Sequence, residues 1–104
     1  MPAISTTGYT TLITVSDTQY TAVIARSCCH DVIVGEDPSV VNWPTTNFYV
    51  AKPEPTNSPR QIPVGQSYAF SHKFDRKPYS PGDIAGYIKC VSGTTTFFQD
   101  ETPL

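Results

Sequence analysis

The sequence predicts an all-β chain, a single small antiparallel β-sandwich or jelly roll of about seven strands, and three observations carry that expectation. Apolar residues recur with period two in short segments, not with the helical period of 3.6. Threonine recurs at positions 6, 7, 10, 11, 14, 18, 21, 45, 46, 56, 94, 95, 96 and 102, and threonine suits a pleated surface. Ten prolines and six glycines supply the turn chemistry that ends short strands.

The elements follow in order. Tyr9 to Val15 places Tyr9, Thr11, Ile13 and Val15 on one face and Thr10, Leu12 and Thr14 on the other. Tyr20 to Arg26 alternates in the same way, and Ser16-Asp17-Thr18-Gln19 between the two reads as a hairpin turn. Asp31 to Gly35 is a third strand, ended by Gly-Glu-Asp-Pro, and Asn47 to Lys52 a fourth. Pro53, Pro55 and Pro59 impose an extended connection that is excluded from a central strand. Gln66 to His72 places Tyr68 and Phe70 on one face. Ile84 to Val91 and Thr94 to Gln99 close the set, and Ser92-Gly93 between them reads as a two-residue hairpin connection. No segment is long and periodic enough to predict a helix. The expected layout is a flexible N-terminal arm over 1–8, a sandwich over 9–101 and a tail over 102–104.

The length of 104 residues holds one core and no second domain. Seven Lys and Arg against nine Asp and Glu give a net charge of −2, and only 15% of residues are charged, against about a quarter in ordinary domains. Such a chain lacks the basic field that nucleic acid or an anionic membrane demands, so neither is expected as a partner. The start Met1-Pro2-Ala3-Ile4-Ser5-Thr6-Thr7 has no basic region followed by an apolar run, and no stretch reaches the ~18 apolar residues of a membrane span. Synthesis and folding in a cytoplasm are expected. Cys28, Cys29 and Cys90 form an odd set, which predicts reduced thiols, at least one of them buried as a small hydrophobe, with a single bridge from Cys28 or Cys29 to Cys90 in an oxidising medium as the alternative.

Candidates for chemistry are few. Cys29-His30-Asp31 holds a nucleophile, a base and a carboxylate, but strand neighbours alternate faces and cannot form a hydrogen-bonded relay. His30 and His72 have no Cys-x-x-Cys or His-x-His spacing beside them to support zinc. Asp31, Glu36 and Asp37 lack the regular oxygen spacing of a calcium loop. Gly82 to Gly86 lacks the Gly-Lys-Ser/Thr ending of a phosphate loop. No enzyme, no metal and no cofactor is expected.

Two long loops are stronger candidates for function. Glu36 to Thr46 carries Trp43 beside Pro44, and Lys73 to Asp83 carries Phe74, Arg76 and Tyr79 before the turn Ser80-Pro81-Gly82-Asp83. Trp and Tyr give large contact area at low entropic cost. Trp43, Phe74, Arg76 and Tyr79 are therefore expected to bind a partner, although Trp43 and Phe74 also suit plugs over the open ends of the sandwich. Trp43, Tyr79 and Tyr87 also suit stacking on a sugar.

The order of segments resembles a family. Tyr20-Thr-Ala-Val-Ile-Ala-Arg, Asp31-Val-Ile-Val-Gly-Glu-Asp-Pro, Ile62-Pro-Val-Gly-Gln-Ser-Tyr-Ala-Phe and Ile84-Ala-Gly-Tyr-Ile-Lys-Cys-Val-Ser-Gly-Thr-Thr-Thr-Phe-Phe-Gln-Asp-Glu are together similar to the small β-sandwich virion proteins of tailed bacteriophages. The two enlarged loops and the Cys28-Cys29 pair depart from that pattern. The resemblance implies a capsid decoration or cement protein that binds the major capsid protein or another virion protein on the outer head surface. A tail or head-fibre component, or a carbohydrate-binding module, is the alternative. A sandwich this small also has exposed edges, which self-association around a three-fold or two-fold axis would cover, so a homo-oligomer is expected, with a trimer as one symmetry. The small, polar arm over 1–8 either frays or adds a strand to a neighbour.

Overall fold

Period-two alternation becomes strands β1 (Thr11–Ser16), β2 (Thr21–Ile24), β3 (His30–Gly35), β4 (Phe48–Ala51), β5 (Arg60–Ile62), β6 (Ser67–Phe70), β7 (Ile84–Cys90) and β8 (Thr94–Pro103). These come from a computed structural model that describes residues 11–26, 30–35, 47–56, 58–70 and 80–103. No helix occurs among the described residues.

The strands form two four-stranded antiparallel sheets, ordered β1-β8-β3-β6 and β2-β7-β4-β5. The all-β sandwich expected from the sequence is what the chain forms. Its order has a simple logic: β1 pairs with β8, β2 with β7, β3 with β6 and β4 with β5. The chain is thus one long two-stranded ribbon folded over itself. The extra pairs β3 with β8 and β4 with β7 join its turns into sheets. This is the jelly-roll arrangement of two interlocked Greek keys.

Two expected hairpins are corrected by this topology. β1 and β2 lie in different sheets, as do β7 and β8, so Ser16 to Gln19 and Ser92-Gly93 are crossings between sheets. The physical reason lies in the hydrogen bonds of the two turns. Asp17 N donates to Gly93 O at 3.0 Å, and Gly93 N donates to Asp17 Oδ2 at 3.0 Å. The two crossings therefore run side by side, and the ribbon turns its corner without coming apart. Gly93 takes φ +77° there, a conformation that residues with a Cβ adopt only at a cost. The next corner repeats the device: Ala25 N donates to Asp83 O at 2.9 Å and Gly82 N to Ala25 O at 2.8 Å. At the third, Val64 N donates to the Asn47 side-chain oxygen at 2.9 Å.

β5 is an eighth strand that the sequence reading did not place. Its three residues sit between Pro59 and Pro63, and proline removes the donor a ladder needs. The chain satisfies both facts by making β5 a short outer strand, paired to β4 alone. β8 also runs past Gln99 to Pro103, which sets the acidic pair Asp100-Glu101 inside a central strand.

Between the sheets lie Val15, Val23, Val32, Val34, Phe48, Val50, Phe70, Ile88 and Phe97, all nearly or fully buried. Phe48 and Phe97 meet across the layers with ring centroids 4.8 Å apart and planes tilted by 58°, a favourable aromatic geometry. Cys90 is buried and free, as expected of one of the thiols, and its Sγ donates to Val15 O at 3.1 Å. Burial pushes this thiol up from its usual range, against hydrogen bonds with Thr95 that act the other way. Cys28 and Cys29 lie outside the described residues.

Glu101 stands out in this core. It is 2% exposed, and neither carboxylate oxygen has a hydrogen-bond partner among the described residues. It shares the inward face of β8 with Phe97 and Gln99, and lies opposite Val32. Gln99 escapes the same fate because its side-chain amide donates to Ile24 O. A buried carboxylate without partners is costly, and an apolar side chain of similar size removes that cost. Glu101→Leu is expected to raise the unfolding free energy at neutral pH by about 1–3 kcal/mol, read from urea denaturation followed by circular dichroism. A loss of stability would instead reveal a partner on the carboxylate.

Candidate contact face

Strand alternation sorts side chains between the core and two outward faces, and the outward face of β2-β7-β4-β5 is the more distinctive. Ala22 lies opposite Tyr87, and Tyr87 opposite Ala51, which makes one row across three strands. The next row runs from Lys89 to Tyr49 and on to Gln61. Tyr20, just before β2, reaches this second row, where the Lys89 Nζ sits 5.2 Å from the centre of its ring. A third row pairs Ile24 with Ile84, and these are 37% and 38% exposed.

Among the described residues, three tyrosines therefore share one face with two alanines, two isoleucines, Gln61 and one cation. Tyr20, Tyr49, Tyr87 and Lys89 are all half-buried. The charge of Lys89 is held over an aromatic ring, where cation–π attraction offsets part of its hydration. Ala51 points outward and is still only 4% exposed, so larger neighbours cover it. Ile24 and Ile84 come together through a bulge in the β2–β7 pairing after Val23. A bulge re-aims side chains in this way.

Three phenols and one ammonium group are the polar chemistry of this face among the described residues, beside the Gln61 amide. What it offers is contact area, aromatic faces and phenol hydroxyls, with a single ion to desolvate among the described residues. The opposite sheet carries an acidic spot. Asp100 and Asp31 lie diagonally across the β3–β8 pairing on its outward side, with Ile33 opposite Asp100 and Thr102 opposite Asp31. Asp100 Oδ1 accepts from Glu101 N at 3.0 Å, while Asp31 Oδ1 is buried with no partner among the described residues. No group of three or more His, Cys, Asp or Glu is placed to hold a metal among those residues.

The partner-binding residues read from the sequence, Trp43, Phe74, Arg76 and Tyr79, lie outside the described residues, as do Cys29, Glu36, Asp37 and His72. His30 and Asp31 are consecutive in β3. Of the three aromatics considered for sugar stacking only Tyr87 is described, and its companions on the face are Tyr20 and Tyr49. Sequence reasoning missed that grouping. Tyr20 and Tyr87 come together only through the pairing of β2 with β7, and spacing along the chain carries no trace of it.

Fold and face together define a small antiparallel jelly roll with an aromatic, ion-poor outer sheet. No protein-family model matches the chain, and no curated protein or solved structure matches it either.

Proposed function

We propose that this protein is a structural component of a bacteriophage virion, a capsid decoration or cement protein that binds the outer head surface and stabilises it. The observation that carries this reading is the tyrosine face, with Tyr20, Tyr49 and Tyr87 gathered around a single charge. Removing an ion from water costs several kcal/mol unless it is well paired. A face with one cation among its described residues, already against an aromatic ring, buries area on a protein lattice at low desolvation cost. The jelly-roll order adds support by analogy, since viral capsid and lectin domains share it, although fold alone never carries function. The role needs no catalytic group. It calls for solubility, many identical contacts and resistance to unfolding, after synthesis in the host cytoplasm.

The test is to mix the purified protein with undecorated capsids, pellet the particles and measure the protein bound per capsid subunit. Saturation at a fixed ratio is expected. Tyr49→Ala and Tyr87→Ala are each expected to weaken binding about thirty-fold, the effect of losing about 2 kcal/mol at an interface hot spot. Trp43→Ala and Tyr79→Ala test the loop residues in the same assay. Protein that stays in the supernatant at every concentration overturns the head-surface reading and favours a tail or head-fibre position.

The same face gives the carbohydrate reading its own support. Tyr87 has the half-buried Ala22 on one side in its row, and a ring beside a small residue leaves room for a flat ligand to stack. A glycan array separates the two readings: saturable binding that Tyr87→Ala abolishes belongs to a sugar site, not to a lattice contact.

A further inference from the structure

The four outer strands are β1 and β6 in one sheet and β2 and β5 in the other, and three of them carry features that discourage pairing with another chain. β5 has three residues, contains Arg60 and is bounded by Pro59 and Pro63. β2 has four residues and a register shift after Val23. β6 also has only four residues. Short length, charge, proline and bulges are the usual ways of blunting an exposed edge.

β1 has none of them. Its six residues, Thr-Leu-Ile-Thr-Val-Ser, contain no charge and no proline. They pair with β8 in unbroken register from Thr11 opposite Gln99 to Ser16 opposite Thr94. Leu12 is 54% exposed, the most exposed of the large apolar side chains described, and Ile13 packs only partly into the core. Nothing pairs with the other side of β1 among the described residues. A regular, uncharged strand whose outer row of backbone donors and acceptors pairs with no described strand is a template for a further strand.

We propose that β1 pairs with β1 of a second copy of this chain, antiparallel across a two-fold axis, joining two four-stranded sheets into one of eight. A second copy fits better than a foreign peptide because an antiparallel edge is complementary to itself, and two uncharged edges meet without like-charge repulsion. The two-fold also fixes the faces. An axis normal to the sheet keeps inward residues opposite inward residues, so Ile13 and Val15 of one copy meet those of the other. Leu12 and Thr14 of both copies then share the outer surface of the join, where the exposed Leu12 is covered. The proposal deepens the oligomer expected of the virion reading and assigns it a two-fold contact, but it needs no capsid, so the two succeed or fail separately.

Sedimentation equilibrium of the protein alone, from about 10 μM to about 1 mM, covers the affinities a small edge contact provides. The expected result is a concentration-dependent rise in molar mass to twice the 11.4 kDa of the chain. The double variant L12K/T14K sets four lysines within about 5–8 Å of one another across the join. It is expected to stay at the mass of one chain, with an unchanged circular dichroism spectrum because both positions face solvent. Tyr49→Ala, on the opposite sheet, is expected to associate as the parent does. A parent protein that remains at one chain mass throughout overturns the proposal without reference to any variant. So does a folded L12K/T14K protein that still doubles in mass.

Discussion

Phe97→Ala is expected to lower the thermal unfolding midpoint by about 15–30 °C, among the largest effects of any single truncation at the described residues. Phe97 is fully buried on β8 and meets Phe48 of the other sheet at 4.8 Å. The pair therefore ties the two layers together. Removing the ring leaves a cavity that surrounding valines fill poorly, because their branched side chains have little freedom to move. Buried Phe→Ala changes cost about 3–5 kcal/mol, against about 5–15 kcal/mol for a whole domain. Calorimetry checks the midpoint. Phe48→Ala is expected to behave alike, and the double variant to cost less than the sum of the two because the rings share one contact. Strict additivity would mean that the rings do not support each other.

Gly86→Ala is expected to destabilise by about 3 kcal/mol, at the upper end of what overpacking costs. Gly86 is buried on β7, and a Cβ there would run into the ring of Phe70 and approach the Ala51 carbonyl oxygen to 2.7 Å. Phe70 comes from β6 of the facing sheet and is 3% exposed, so its ring fills the space the glycine leaves. The clash with a backbone oxygen is the part that a rotamer change leaves in place. Phe70→Leu in the same chain is expected to restore part of the loss, a coupling of about 1–2 kcal/mol in a double-mutant cycle. Urea denaturation of the four proteins measures it, and a coupling near zero would show that the ring is not what Gly86 accommodates.

These two sites show where sequence reasoning stops. Alternation in Phe48-Tyr49-Val50-Ala51 and in Tyr68-Ala69-Phe70 reveals strands and their inward faces, because one buried face imposes period two whatever the partner strand is. The fold class and most of the strands were legible on that ground. Partners were not. Ser16 to Gln19 has the length of a hairpin turn, and only the bonds between Asp17 and Gly93 show that it lies beside another turn, from the far end of the chain. The same limit hid the tyrosine face, which needs β2, β7 and β4 side by side, and hid why position 86 must be glycine. Arg60 to Ile62 was lost for a different reason, since three residues between prolines carry too little pattern to announce a strand. Glu101 reads as the start of a polar tail, and only the register of β8 against β3 reveals it as part of the core.

The nested pairing has a consequence for how the protein comes into being. Thr11 waits for Gln99 and Thr21 for Ile88, whereas the closest-spaced pairing joins Val50 to Arg60. Chains dominated by such distant pairings fold in milliseconds to seconds, slower than chains with local contacts. During synthesis at about 5–20 residues per second, β1 and β3 exist for seconds before β8 can separate and pair with them both. The middle ribbon of β4 and β5 is the natural starting point, with closure proceeding outward to the pair formed by β1 and β8. A nascent chain halted at Gly93 would hold most of its apolar residues and neither the strand nor the phenylalanine that completes the first sheet. Before β8 arrives, β1 offers both of its sides to whatever strand comes near, so crowding among growing chains is the hazard that this topology brings.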